Sequence, residues 1–222
     1  HTMAVVQCNP VQPKDAYQSV QGIIFDCDGV LIDSKEANRR YYNTIREKAG
    51  LEPMSPEQED FVHAHSVHRS LEHILPVELL DRMRRERTRF DYREFLFHIR
   101  LESGLIPLLT ELKNQGIPMA VNTNRTDTME LILERFELRS YFHPVVTANR
   151  VCWAKPHPES MHRILAFWRL KPEQVAYVGD SSVDQDTAQS AGVPFWAYKN
   201  PLLRADLHVP DFWALLGCFR RA

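Results

Sequence analysis

The stretch Gly22-Ile23-Ile24-Phe25-Asp26-Cys27-Asp28-Gly29-Val30-Leu31-Ile32-Asp33-Ser34 decides the fold, because its apolar run ends abruptly at two carboxylates one residue apart. A short continuous apolar run with β-branched residues suits a parallel strand covered by helices on both faces. Open α/β sheets place ligands just beyond the carboxyl ends of their strands. Residues i and i+2 of an extended backbone point the same way, so Asp26 and Asp28 can converge on one site. Carboxylates that close repel each other, and either one takes up a proton or a cation lies between them. Magnesium fits that role, since it prefers oxygen ligands and bridges carboxylates to phosphates. Read alone, the same residues also suit an Asp-rich turn with Gly29 in a left-handed conformation.

Outward from this stretch, the 222 residues suit one large domain or a core with a small insert, and an apolar fraction of 44% suffices for a proper core. The net charge of -2 provides no global basic field, which disfavours nucleic acid as a partner. Four cysteines without Cys-x-x-Cys spacing fit a reducing, cytoplasmic setting rather than a disulfide framework. No apolar run is long enough for a membrane span. A monomer is expected. Residues 1–21 read as a tag remnant (His1-Thr2-Met3) and an N-terminal extension.

Residues 34–103 show helical patterning throughout: Ser34 as an N-cap with Ala37, Tyr41 and Ile45 on one side, a capping box at Ser55–Gln58, and helices over Ser66–Leu75 and Val77–Arg100. Residues 22–33 and 104–222 alternate instead between short apolar strands (Pro118–Asn122, Pro144–Thr147, Val175–Val178, Pro194–Ala197) and helices. That alternation predicts an α/β, doubly wound, Rossmann-like parallel sheet, with an inserted all-helical cap domain at 34–103.

The order Asp26-x-Asp28-Gly29-Val30-Leu31, Val121-Asn122-Thr123-Asn124, Lys155-Pro156 and Gly179-Asp180-Ser181-Ser182-Val183-Asp184 resembles the four motifs of the haloacid dehalogenase superfamily. The resemblance runs from about Gly22 to the C-terminus and is nearest to the branch of phosphoglycolate phosphatases and β-phosphoglucomutases. It implies Asp26 as a nucleophile that forms an aspartyl-phosphate and Asp28 as the acid/base. Lys155 and Thr123 would stabilise the transferring phosphoryl group, Thr123 together with the Asn124 amide. Mg2+ would be held by Asp26, the Asp28 main chain and Asp180, with Asp184 orienting metal-bound water or Lys155. The expected partner is a small-molecule phosphate ester: phosphoglycolate, a sugar phosphate or a nucleotide.

The insert would close over the core and exclude water, hinging near Ile32–Lys35 and Glu102–Leu105. In His63-Ala64-His65-Ser66-Val67-His68-Arg69, the side chains of His65, His68 and Arg69 are candidates for holding a substrate carboxylate or second phosphate, beside readings as a zinc set or plain surface histidines. The run Arg82–Arg93 reads as an ion-paired helix face or, alternatively, an RNA contact. A phosphosugar mutase is the alternative activity; Asn38 and Asp184 depart from the mutase pattern and favour hydrolysis. A non-catalytic binding protein on the same fold is the alternative of another class.

Overall fold

A computed structural model of the protein describes Tyr17 and residues 19–220; most of the expected N-terminal extension, Cys8 included, lies outside the described residues. Six parallel strands form one sheet in the order β5-β4-β1-β6-β7-β8. They are β1 (Gly22–Phe25), β4 (Met119–Asn122), β5 (Val145–Val146), β6 (Val175–Gly179), β7 (Phe195–Tyr198) and β8 (Leu207–Val209). The chain leaves central β1, builds one wing through β4 and β5, then returns to build the other from β6. This reversal opens a crevice at the end of β1.

The period of two along β1 sorts its side chains into two layers. Ile23 and Phe25 join Leu105, Leu108, Leu109 and Leu112 of α5 (Leu105–Asn114), Ile132 of α6 (Thr128–Arg135) and Phe212 and Leu216 of α9 (Phe212–Phe219). Ile24 faces the opposite layer, with Met161 and Ile164 of α7 (Glu159–Trp168) and Ala188 and Ala191 of α8 (Ser182–Ala191). Each fully buried aliphatic side chain of this kind contributes roughly 1.5–3 kcal/mol.

The cap comprises α1 (Lys35–Lys48), α2 (Pro56–Ala64), α3 (Val67–Ile74) and α4 (Val77–Glu86), followed by 3-10 turns at Arg87–Arg89 and Tyr92–His98. The expected capping box forms: Ser55 Oγ accepts from the Gln58 N–H at 3.3 Å while Gln58 Oε1 accepts from the Ser55 N–H at 3.0 Å. Two expectations are corrected. The helix expected over Val77–Arg100 ends at Glu86, because the Asp91 carboxylate accepts from the Arg93 N–H at 3.0 Å and starts a new turn. That turn lays Tyr92 and Phe95 edge-on against Tyr41 of α1, at centroid distances of 5.4 and 5.6 Å. The stretch is also not purely helical at its borders, since β2 (Ile32–Asp33) and β3 (Arg100–Leu101) pair antiparallel where the chain enters and leaves the cap.

Candidate active site

Register brings the motifs together. Phe25 of β1 lies opposite both Val121 of β4 and Val178 of β6, so the residues that follow each of them emerge at one edge. Across that edge the Lys155 ammonium donates to Asp26 Oδ1 at 2.9 Å, Asp184 Oδ1 at 2.7 Å and the Tyr177 hydroxyl at 2.8 Å. Burial alone would favour the neutral amine, but Asp184 and Asp26 hold the Lys155 pKa above its ordinary value. Asp184 is fully buried and keeps its pKa below the usual range despite burial, through the charge of Lys155 and hydrogen bonds from Lys155, Tyr177 and Ser181. Tyr177 carries no role in the sequence reading. A phenol one strand-pleat before Gly179 is the signal that marks it.

Asn124 fixes the loop that carries Lys155. Its side chain accepts from the Lys155 N–H at 3.1 Å and donates to the carbonyls of Lys155 and Ala64, both at 3.2 Å, which ties the loop to the end of α2. Thr123 is buried, and its hydroxyl accepts from the Arg125 N–H at 3.0 Å.

Asp28 sits in a second network. Arg125 donates from Nε to Asp28 Oδ2 at 2.8 Å and from Nη2 to Oδ1 at 2.7 Å, and from Nη1 to the Tyr92 hydroxyl of the cap at 2.9 Å. Ser34 donates its hydroxyl to Asp28 instead of capping α1, so it stands at the expected N-cap position with a different partner. Burial would raise the Asp28 pKa, but the Arg125 charge and its hydrogen bonds bring it down to about 2. Asn38 lies 3.5 Å from Asp28 Oδ1 and 3.4 Å from His63 Nδ1, and His63 Nε2 reaches to 4.0 Å from Asp180 Oδ2. Arg125 and Tyr92 are thus site residues that the sequence reading passes over, while Asn38 enters it only as a departure from the mutase pattern and His63 only as the start of the cap stretch, neither with this role. Only Arg125, next to Asn124 at the mouth of β4, had a local signal.

Asp26, Asp180 and Asp184 each offer an oxygen within 4.8 Å of the others. Burial first, and then the charge of Asp184, push the Asp180 pKa up to about 8 and raise that of Asp26 well above its ordinary value. Three carboxylates crowded around one ammonium fit an oxygen-seeking divalent cation, which relieves the repulsion that otherwise forces protonation. The Asp28 carboxylate is committed to Arg125 and lies outside this group of three. At Gly29, whose φ is +77°, an added Cβ would run into the Asp180 carboxylate, so a side chain there is incompatible with the cluster.

A pocket of about 70 Å3 encloses Asp26 and Asp28 and takes Asn38, His63, His65 and Arg87 from the cap. His65 stacks on Phe61 at 3.8 Å, and its Nδ1 meets the Phe61 carbonyl at 2.9 Å. His68 and Arg69 lie away from this pocket: His68 Nε2 pairs with Glu72 at 3.0 Å, and Arg69 is exposed on a wider cleft. None of these histidines belongs to a metal-competent cluster among the described residues. Three of the six arginines of the run are ion-paired, Arg82 on Glu86 at 3.6 Å, Arg84 on Glu72 at 3.0 Å and Arg93 on Asp91 at 3.6 Å.

The sheet thus carries an acidic cluster and a buried lysine at its carboxyl edge, beneath a helical cap. Residues 23–198 match the family model described as haloacid dehalogenase-like hydrolase, and the chain belongs to that family. It is 31% identical over 213 residues to the phosphoglycolate phosphatase of Rhodobacter capsulatus, covering 88% of this chain and 94% of that one. To the pyrophosphatase PpaX of Bacillus cereus it is 28% identical over 212 residues, covering 87% and 91%. Among solved structures, a subfamily IA hydrolase of the same superfamily from Geobacter sulfurreducens superposes with a TM-score of 0.76 at 36% identity, covering 89% and 98%. The β-phosphoglucomutase of Clostridium difficile shares the fold, with a TM-score of 0.76 at 21% identity over 87% and 92% of the two chains. Among the described residues no helix is long and apolar enough to cross a membrane.

Proposed function

We propose that the chain is a magnesium-dependent phosphatase that hydrolyses a small-molecule phosphate monoester through an aspartyl-phosphate on Asp26. The observation that carries this reading is the Lys155 ammonium shared between Asp26 at 2.9 Å and Asp184 at 2.7 Å, beside a carboxylate crowd that calls for a cation. Phosphatase relatives support it. Asp26, Asp180 and the Asp28 main chain would hold the cation, with Asp184 behind them; when bound, it neutralises phosphoryl charge against an anionic nucleophile.

Asp26 attacks phosphorus as the ester P–O bond breaks, and Asp28 gives the leaving oxygen its proton. In the second half Asp28 takes a proton from water as that water attacks phosphorus; the bond to Asp26 breaks, and inorganic phosphate leaves. Lys155 and Thr123 stabilise the phosphoryl oxygens in both halves. For Asp28 to act as the acid, Arg125 must let go of it. All these groups lie in one chain, which suits a monomer, and the free thiols of Cys27 and Cys152 suit a reducing cytoplasm.

The test is phosphate release from a panel of phosphate esters that includes phosphoglycolate, and from the anhydride pyrophosphate, with magnesium or chelator, for the intact chain and for Asp26→Asn. Magnesium-dependent release abolished by the substitution is expected. A folded, magnesium-loaded protein that releases phosphate from no ester would sink the reading.

A further inference from the structure

Beside the catalytic pocket lies a much larger cleft of about 850 Å3, with Ser66, Val67 and Arg69 on its cap wall and Thr126, Trp153 and Pro156 on its core wall. It lies within the roughly 300–1,000 Å3 range of small-molecule sites. The two spaces meet: Val67 and Thr126 line both, and Lys155 borders the cleft while its ammonium reaches the nucleophile. With a phosphoryl group seated on Asp26, the shared lining at Val67 and Thr126 gives the remainder of a substrate a way into the cleft.

The wall of that cleft carries Trp153, 65% exposed. A large aromatic left open to solvent is unusual for a packing residue. Its ring lies tilted against that of His157 at a centroid distance of 6.1 Å, and its backbone is fixed. The main-chain N–H groups of Cys152 and Trp153 donate to the Glu159 carboxylate at 2.9 and 3.0 Å, and Arg163 holds Glu159 at 2.8 Å. Downstream, Pro156 and Pro158 stiffen the same loop. Exposed Trp213, by contrast, donates its indole N–H to Ser103 at 3.0 Å and covers the Gly104 backbone. Trp153 therefore presents its indole from a fixed main chain two residues from Lys155. Across the cleft, Arg69 adds a planar cation of the kind that stacks on aromatic rings.

Resting on the phosphatase reading, we propose that this cleft seats the leaving group, and that the group is a planar heteroaromatic ring stacked on Trp153. The preferred substrates are then phosphate monoesters of the nucleoside 5′-monophosphate kind, not the compact esters named for the relatives. The balance is that of simple hydrolysis: the ester P–O bond breaks, the nucleoside leaves as its alcohol, and water supplies the new oxygen of inorganic phosphate.

The experiment compares adenosine 5′-monophosphate, phosphoglycolate and pyrophosphate as substrates of the intact chain, Trp153→Ala and Trp153→Phe, with circular dichroism as the check on folding. The nucleotide is expected to give the highest kcat/KM. Trp153→Ala should lower the ratio of nucleotide to phosphoglycolate kcat/KM about tenfold, mainly through KM, the size of one lost base–aromatic stack, and Trp153→Phe should restore most of it. A preference for phosphoglycolate or pyrophosphate, or an equal loss on all esters in Trp153→Ala, overturns the assignment and leaves the phosphatase reading standing. Calorimetric binding of the nucleotide to Asp26→Asn, with and without Trp153→Ala, tests the platform independently of turnover. Affinity that Trp153→Ala leaves unchanged also overturns it.

Discussion

Arg125 closes its guanidinium fork on both oxygens of Asp28, with Nε at 2.8 Å from Oδ2 and Nη2 at 2.7 Å from Oδ1, and both side chains are buried. A buried pair broken on one side leaves an uncompensated charge, which costs about 3–5 kcal/mol. Arg125→Met is expected to lose at least about 3 kcal/mol in urea unfolding, and Asp28→Leu/Arg125→Met to recover much of that loss. Because Asp28 is held down to about 2, its contribution is present above the ordinary carboxylate range and is lost as pH falls toward that value. Equal stability of Arg125→Met and the parent at pH 7 would contradict the pairing.

The pair also bears on catalysis. An ester with a poor leaving group needs a proton from Asp28, whereas p-nitrophenyl phosphate leaves as a stable phenolate and needs little help. Asp28→Asn should therefore lose about 100-fold or more on alkyl phosphates but still transfer the phosphoryl group of p-nitrophenyl phosphate to Asp26. Hydrolysis of the intermediate is then slow. A p-nitrophenol burst of one equivalent and a phosphoryl-mass adduct by mass spectrometry are the expected signatures; a variant as fast as the parent on alkyl esters would remove Asp28 from the acid role.

The division between what the sequence shows and what it hides follows from how far apart the interacting residues lie. Asp26 and Asp180 are legible because each follows a recognisable strand end, Asp184 because it lies in the first turn of a helix, and Lys155 because Lys155-Pro156 stands in the order of motifs that the resemblance supplies; a parallel sheet brings the strand ends to one edge. Arg125 reaches Asp28 across 97 positions and His63 reaches Asn38 across 25, contacts that no local pattern encodes. The break after Glu86 is hidden for a related reason: Arg87-Thr88-Arg89 is compatible with helix, and the aromatic packing of Tyr92 and Phe95 on Tyr41 overrides it. Leu207–Val209 escapes notice as a strand because three residues with His208 in the middle give too short a pattern.

Gly29 gives a test of the acidic cluster that leaves every carboxylate in place. With φ at +77° and Asp180 where a Cβ would go, Gly29→Ala adds about 1 kcal/mol of backbone strain and drives the Asp180 carboxylate aside. The expected result is a modestly destabilised, folded protein whose magnesium requirement for activity rises tenfold or more. An unchanged magnesium dependence would mean that Asp180 is not part of the cation site.

Asp180 itself makes the protein's stability depend on pH and metal together. In the absence of a cation, burial and the charge of Asp184 push its pKa up to about 8, well above the roughly 3.9 of an unperturbed aspartate. Between those values the folded chain keeps a proton that the unfolded chain has released, so stability falls as pH rises through this window. Magnesium binds the ionised cluster and removes that penalty. In chelator, Tm should decline from about pH 5 to pH 8, whereas saturating magnesium should flatten the decline and raise Tm by about 5 °C or more at pH 8. Asp180→Asn should remove the Asp180 share of the decline, leaving the share of Asp26, and lose most of the magnesium shift. Coincident Tm curves with chelator and with magnesium would show instead that Asp26, Asp180 and Asp184 share protons and hold no cation.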